Sequence, residues 1–157
     1  MTASLPLLPC MSLALAGCLL SGPLSAVTDD AEAFRPWQRE GYAIPHALDG
    51  LPGDAARGRA IVADRERGNC IACHRLPIPE EPMHGNVGPP LAGVGARYSA
   101  GELRLRVVDE KAINPATIMP GFHVDPANYN RPRPDVVRPI LSAQEVEDVV
   151  AWLLTLR

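Results

Sequence analysis

Cys70, Cys73 and His74 fall within one short stretch, Gly68-Asn69-Cys70-Ile71-Ala72-Cys73-His74. Two thiols three positions apart on a turn, followed at once by an imidazole, make the C-x-x-C-H pattern of covalent c-type haem attachment. The spacing suits the chemistry. Each thiol reaches one of the two vinyl groups of a haem to form a thioether, and the adjacent imidazole then projects over the iron. Two other chemistries use paired cysteines. A redox-active dithiol needs a βαβ setting, and no strand alternation of any length is present. A structural zinc site needs four closely paired ligands, whereas beyond Cys70 and Cys73 only scattered histidines are available.

An iron held by His74 on one face has a second axial position to fill. Beyond residue 26 the chain keeps two methionines, Met83 and Met119. Met83 is only nine residues past His74 (83 − 74), a short tether for reaching the opposite face. Met119 is 45 residues on (119 − 74), in Asn114-Pro115-Ala116-Thr117-Ile118-Met119-Pro120-Gly121. Flanking prolines stiffen that loop and can aim a thioether at the iron. His84, beside Met83, and His123, in the same loop as Met119, are the competing ligands, and His123 is the stronger of the two. His46 reads as an exposed residue. A His/Met pair raises the haem potential and leaves no open position for oxygen chemistry. In the turn Gly88-Pro89-Pro90-Leu91, a carbonyl such as that of Pro89 can accept the Nδ1–H of His74 and fix the ring.

These groups need elements to hold them. Asp54 can cap a first helix running to about Arg67, with Gly58, Ile61 and Val62 on one face, stopped by Gly68. Ser99 with Glu102 forms a capping box for a helix to about Lys111 that carries Leu103, Val107 and Val108. Ser142 with Glu145 repeats it for a last helix with Val146, Val149, Val150, Leu153 and Leu156 at helical spacing and Trp152 beside them. Prolines forbid long helices between Pro77 and Gly95 and again between Asn114 and Pro139. The expected fold is all-α, three to four helices around one covalent haem with long Pro-rich loops.

Composition sets the surroundings. The 157 residues carry a net charge of -3 and no basic run, which excludes a nucleic-acid binder. The first 26 residues hold none of the 33 charged residues, and an apolar core runs into Ser25-Ala26. They read as an export signal cleaved after Ala26, too interrupted by proline for an integral membrane span. Leu15-Ala16-Gly17-Cys18 offers a lipobox as the alternative, with a lipid on Cys18. Export places the mature protein in the periplasm. Residues 27–53 read as an extended arm and 54–157 as the domain. Seven aromatics (2 Trp, 3 Tyr, 2 Phe) are few for a core, and a porphyrin would fill the place of more.

C-x-x-C-H, Gly88-Pro89-Pro90-Leu91, a methionine loop and a terminal amphipathic helix stand in the order of class I cytochromes c, which this chain resembles. In that family the first and last helices cross at a glycine and an aromatic, here Gly58 and Trp152. More narrowly, several stretches resemble the SoxX family, the monohaem subunits of SoxXA complexes. They are Arg67-Gly68-Asn69-Cys70, His84 through Leu91, Tyr98 through Arg104, Asn114 through Pro120 and Leu141 through Val150. The resemblance implies haem c on Cys70 and Cys73, His74 proximal and Met119 distal. It implies a SoxA-type haem subunit as partner, the SoxYZ carrier in transient contact and a soluble cytochrome as electron acceptor. The implied activity is the oxidative joining of thiosulfate to a carrier cysteine, with the conjugation on the partner's haem and this chain as the electron relay. The other reading is a free, diffusible electron shuttle. A shuttle usually carries a charged ring for steering, whereas the charges here are mixed.

Overall fold

Asp54 opens the first helix. Its carboxylate accepts the backbone N–H groups of Ala56 and Arg57 at 2.8 and 3.0 Å, two donors that a helix N-terminus leaves unpaired. α1 (Ala55–Ala63) follows. It ends at Ala63 rather than near Arg67, because the chain turns back on itself: Gly68 N–H donates to the Ile61 carbonyl and Asn69 N–H to that of Asp64. Asn69 takes a left-handed φ of 49°, which asparagine tolerates better than most residues. This reversal delivers the chain into Cys70. The computed structural model describes residues 1, 32–129 and 134–157. The expected signal, with Cys18, and the start of the arm lie outside the described residues apart from Met1.

Both capping boxes form. Ser99 and Glu102 exchange hydrogen bonds at the head of α3 (Ala100–Asp109), and Ser142 and Glu145 do so at the head of α4 (Ala143–Thr155). One 3-10 turn, Glu110–Ala112, prolongs α3. A single-turn helix, α2 (Val94–Arg97), lies in a stretch with no helix expected, entered through Gly93 at φ 71°. The described residues form no strand, and one isolated bridge pairs Glu40 with Ala43.

The core forms where α1 and α3 pack on α4. Gly58 makes the first crossing possible: a Cβ there would stand 1.9 Å from the carbonyl oxygen of Asp148, so only glycine fits. Trp152, one turn further along α4, is buried. Val62, Leu105, Val108, Val146 and Val149 fill the space between the helices.

Residues 32–53 wrap the helices instead of standing away from them. Ile44 and Leu48 are buried, and Ile44 N–H donates to Gly101 O at 3.0 Å. Beneath them lies an ion pair: Arg104 Nε and Nη2 reach Glu147 at 2.7 and 2.9 Å. Arg104 Nη1 also donates to Ile44 O at 2.6 Å, and Glu147 Oε1 accepts Leu48 N–H at 2.9 Å. A buried pair is tolerated only with its remaining donors and acceptors satisfied, and here the arm's backbone satisfies them.

Candidate haem site

A 3-10 turn, Cys70–Ala72, carries the first cysteine and leads into Cys73 and His74. The turn closes on itself, with both Cys73 N–H and His74 N–H donating to Cys70 O. Cys70 is half-buried and Cys73 exposed, and both thiols are free. Burial pushes the Cys70 thiol up to about 12. Among the described residues no group of three or more His, Cys, Asp and Glu could hold a metal ion. A structural zinc site therefore lacks its ligands among the described residues.

His74 Nδ1 lies 2.8 Å from the carbonyl oxygen of Pro89. A carbonyl only accepts, so Nδ1 carries the proton and Nε2 the lone pair. Gly88 lies against the same ring: its Cβ would stand 2.4 Å from His74 Cε1. Gly88 N–H donates to Cys73 O at 2.8 Å and so ties the turn to the attachment motif.

Met119 is held by the loop that precedes it. Its N–H donates to Thr117 Oγ1 at 3.2 Å, Thr117 N–H to Asn114 O at 3.0 Å, and Lys111 Nζ to Thr117 O at 3.0 Å. Cys70, Cys73, His74, Pro89 and Met119 all line one cavity of about 700 Å³, within the size range of cofactor sites. Val62, Leu91, Val94, Leu103, Phe122 and Leu153 supply its apolar walls.

The other sequence candidates do not line this cavity. Met83 is 75% exposed. His84 Nδ1 accepts Leu76 N–H at 2.9 Å. His46 is exposed. His123 is buried with both ring nitrogens engaged by the backbone, Nδ1 with Leu141 O at 2.7 Å and Nε2 with Arg35 N–H at 3.0 Å.

The sequence reading missed the cavity's cations, Arg65, Arg67, Arg97 and Arg106. Arg67 pairs with Glu145 and Arg106 with Glu110, whereas Arg97 donates to the carbonyls of Ala92 and Pro90. Arg67 stands in the Arg67-Gly68-Asn69-Cys70 stretch, but no motif marks Arg65, Arg97 or Arg106. Only the fold brings four scattered arginines to one rim.

A haem c fits what these residues offer. Two thiols and an imidazole on one turn share the cavity with a thioether, the imidazole has its lone pair on Nε2, the walls are apolar, and arginines match a porphyrin's carboxylates in sign. Cys70 and Cys73 would hold the ring and His74 and Met119 its iron. The group supplies a one-electron couple when bound.

Comparison with known proteins agrees. The family model for cytochrome c matches residues 55–157. None of the curated proteins matches the sequence. Among solved structures, a chain in the crystal structure of SoxXA from P. pantotrophus is 34% identical, with a TM-score of 0.68 over 76% of this chain and 93% of that one. No helix among the described residues is long and apolar enough to cross a membrane. The chain belongs to the cytochrome c family, and its cofactor is a covalently bound haem c.

Proposed function

We propose that this chain is the electron-transfer subunit of a SoxXA-type complex acting on thiosulfate in the periplasm. In it Cys70 and Cys73 form the two thioethers, His74 is the proximal iron ligand, Met119 is the distal one, and the Pro89 carbonyl fixes the His74 ring. The observation that carries the site assignment is the shared cavity: these five residues come from three separate stretches of chain and line one space. The assignment to a SoxXA-type complex is supported by 34% identity along 93% of a chain in the SoxXA crystal structure.

The division of labour follows from the cysteines. Cys10 and Cys18 belong to the expected export segment, and Cys70 and Cys73 are consumed by the haem. No thiol is left as a nucleophile. A Met ligand opposite His74 fills the iron's last position and keeps the potential high. The chain therefore accepts electrons and passes them on, while the conjugation of thiosulfate to the SoxYZ carrier falls to a SoxA-type haem subunit. A soluble cytochrome takes the electrons away.

Purification of the native protein from the periplasm tests this reading. The expected result is a complex with a larger haem protein, whose haems are reduced by thiosulfate only when the cysteine-bearing carrier is present. Recovery as a lone monomer that exchanges electrons with other cytochromes would overturn it in favour of the diffusible shuttle. A membrane-bound fraction released by lipase would replace free export with an anchor at Cys18.

A further inference from the structure

His123 is fully buried and does not line the haem cavity, yet it joins four separate stretches of chain. Its Nδ1 lies 2.7 Å from Leu141 O, just ahead of α4. Because a carbonyl only accepts, Nδ1 carries the proton and Nε2 a lone pair, and that lone pair accepts Arg35 N–H at 3.0 Å. Trp37 Nε1–H donates to His123 O at 3.1 Å, and the Phe34 ring lies 5.4 Å from the imidazole. His123 N–H donates in turn to Val108 O, in α3, at 3.1 Å.

Met119 lies four residues ahead of His123 (123 − 119), and Pro120 stiffens the link between them. Within that link Phe122 N–H donates to Val107 O at 3.2 Å, and Phe122 O accepts Leu141 N–H at 2.8 Å. The downstream end of the Met119 loop is therefore fixed at Phe122 and His123, and the arm reaches it through contacts around His123.

We propose that His123 is a positioning residue for Met119: as a neutral imidazole it clamps arm residues 34–37 to the methionine loop, so that the docked arm sets the place of Met119 at the cavity together with the loop's own backbone bonds. The proposal rests on the reading of Met119 as distal ligand. The clamp has a definite response to acid. Burial pushes the imidazole below its ordinary range, and the charged groups acting on it, Asp49 and Arg35, are ion-paired with each other at 2.7 Å. Protonation would set an Nε2–H against the Arg35 N–H, donor facing donor, and open the clamp.

The test uses the holo-protein in four forms: wild type, His123→Phe, His123→Gln and Trp37→Phe. Each is followed through an acid titration by its sulfur-to-iron charge-transfer band and its far-UV dichroism. The wild type should lose the band on acidification while its helices persist. His123→Phe should lack the band at neutral pH, with haem still attached and helices intact. His123→Gln, whose amide oxygen can accept Arg35 N–H, should recover part of it. Trp37→Phe should move the acid loss upward by roughly 0.5–1 pH unit, the equivalent of one hydrogen bond. His123→Phe with the wild-type band and acid midpoint would overturn the proposal, as would band and helices vanishing together. If His123→Phe yields no holo-protein, an unchanged midpoint in Trp37→Phe overturns it. A wild type without the band overturns the Met119 ligand reading instead.

Discussion

The Nδ1 of His74 and the carbonyl oxygen of Pro89 lie 2.8 Å apart, across fifteen residues of chain. Gly88 is the residue that permits this approach, since a Cβ there would stand 2.6 Å from the same Nδ1. Gly88→Ala should push the ring aside and break the bond to Pro89. Losing one such hydrogen bond costs roughly 0.5–1.5 kcal/mol. Denaturant unfolding of the holo-protein should show an unfolding free energy lowered by that amount, together with an altered low-spin haem spectrum.

Met119→Ala removes the thioether from the cavity while leaving the Thr117, Asn114 and Lys111 contacts of its loop in place. The sulfur-to-iron charge-transfer band should disappear and the reduction potential should fall, as expected when a methionine ligand is lost. Redox titration and visible spectroscopy read both. An unchanged spectrum would assign the distal position to another side chain.

Replacing Cys70 and Cys73 with alanine should yield protein without covalent haem. An apolar-walled space of about 700 Å³ would then be open to water or collapse. Domain stabilities are only about 5–15 kcal/mol, too little to hold so large a void in well-packed form. The double variant should keep far-UV dichroism, lose near-UV dichroism and bind hydrophobic dye. A rigid, native-like apo-protein would contradict this.

Acid should loosen the contact between α1 and α4. Burial alone would raise the Asp148 carboxyl, but hydrogen bonds from Arg57, Asp54 N–H and Gln144 outweigh it and hold the group below its ordinary value. A carboxyl depressed in the folded state contributes stability above its unfolded pKa, about 3.9. That contribution is lost as pH falls through the lower folded value. Asp148→Asn should therefore reduce stability at neutral pH, and the difference from wild type should shrink as pH falls below the ordinary carboxyl value. Thermal melts across pH 2–7 check the sign.

Much of this was legible beforehand because the signals are local. The boxes at Ser99/Glu102 and Ser142/Glu145 need only three residues' separation, and C-x-x-C-H carries its chemistry within five. What escaped the reading depends on partners far along the chain. Arg104 and Glu147 look like ordinary helix-surface charges, yet they are buried because the arm's Ile44 and Leu48 backbones complete their hydrogen bonds. α2 carries no side-chain cap and enters through a positive-φ glycine, so nothing in its composition marks a helix. His123 could be read as a rival ligand because spacing alone does not reveal that both ring nitrogens are already engaged.

The crossing of Gly58 over Asp148 also bears on the order of events during synthesis. Arg57 and Asp148 pair across 91 positions, so the first helix has no docking face until the end of the chain has been made. Contacts at such separation form late, because the intervening loop must be closed before they return any energy. The Cys70–His74 turn lies inside that loop and remains accessible for the whole interval. Until the ends of the chain meet, the two thiols and the imidazole stand open to the incoming ring.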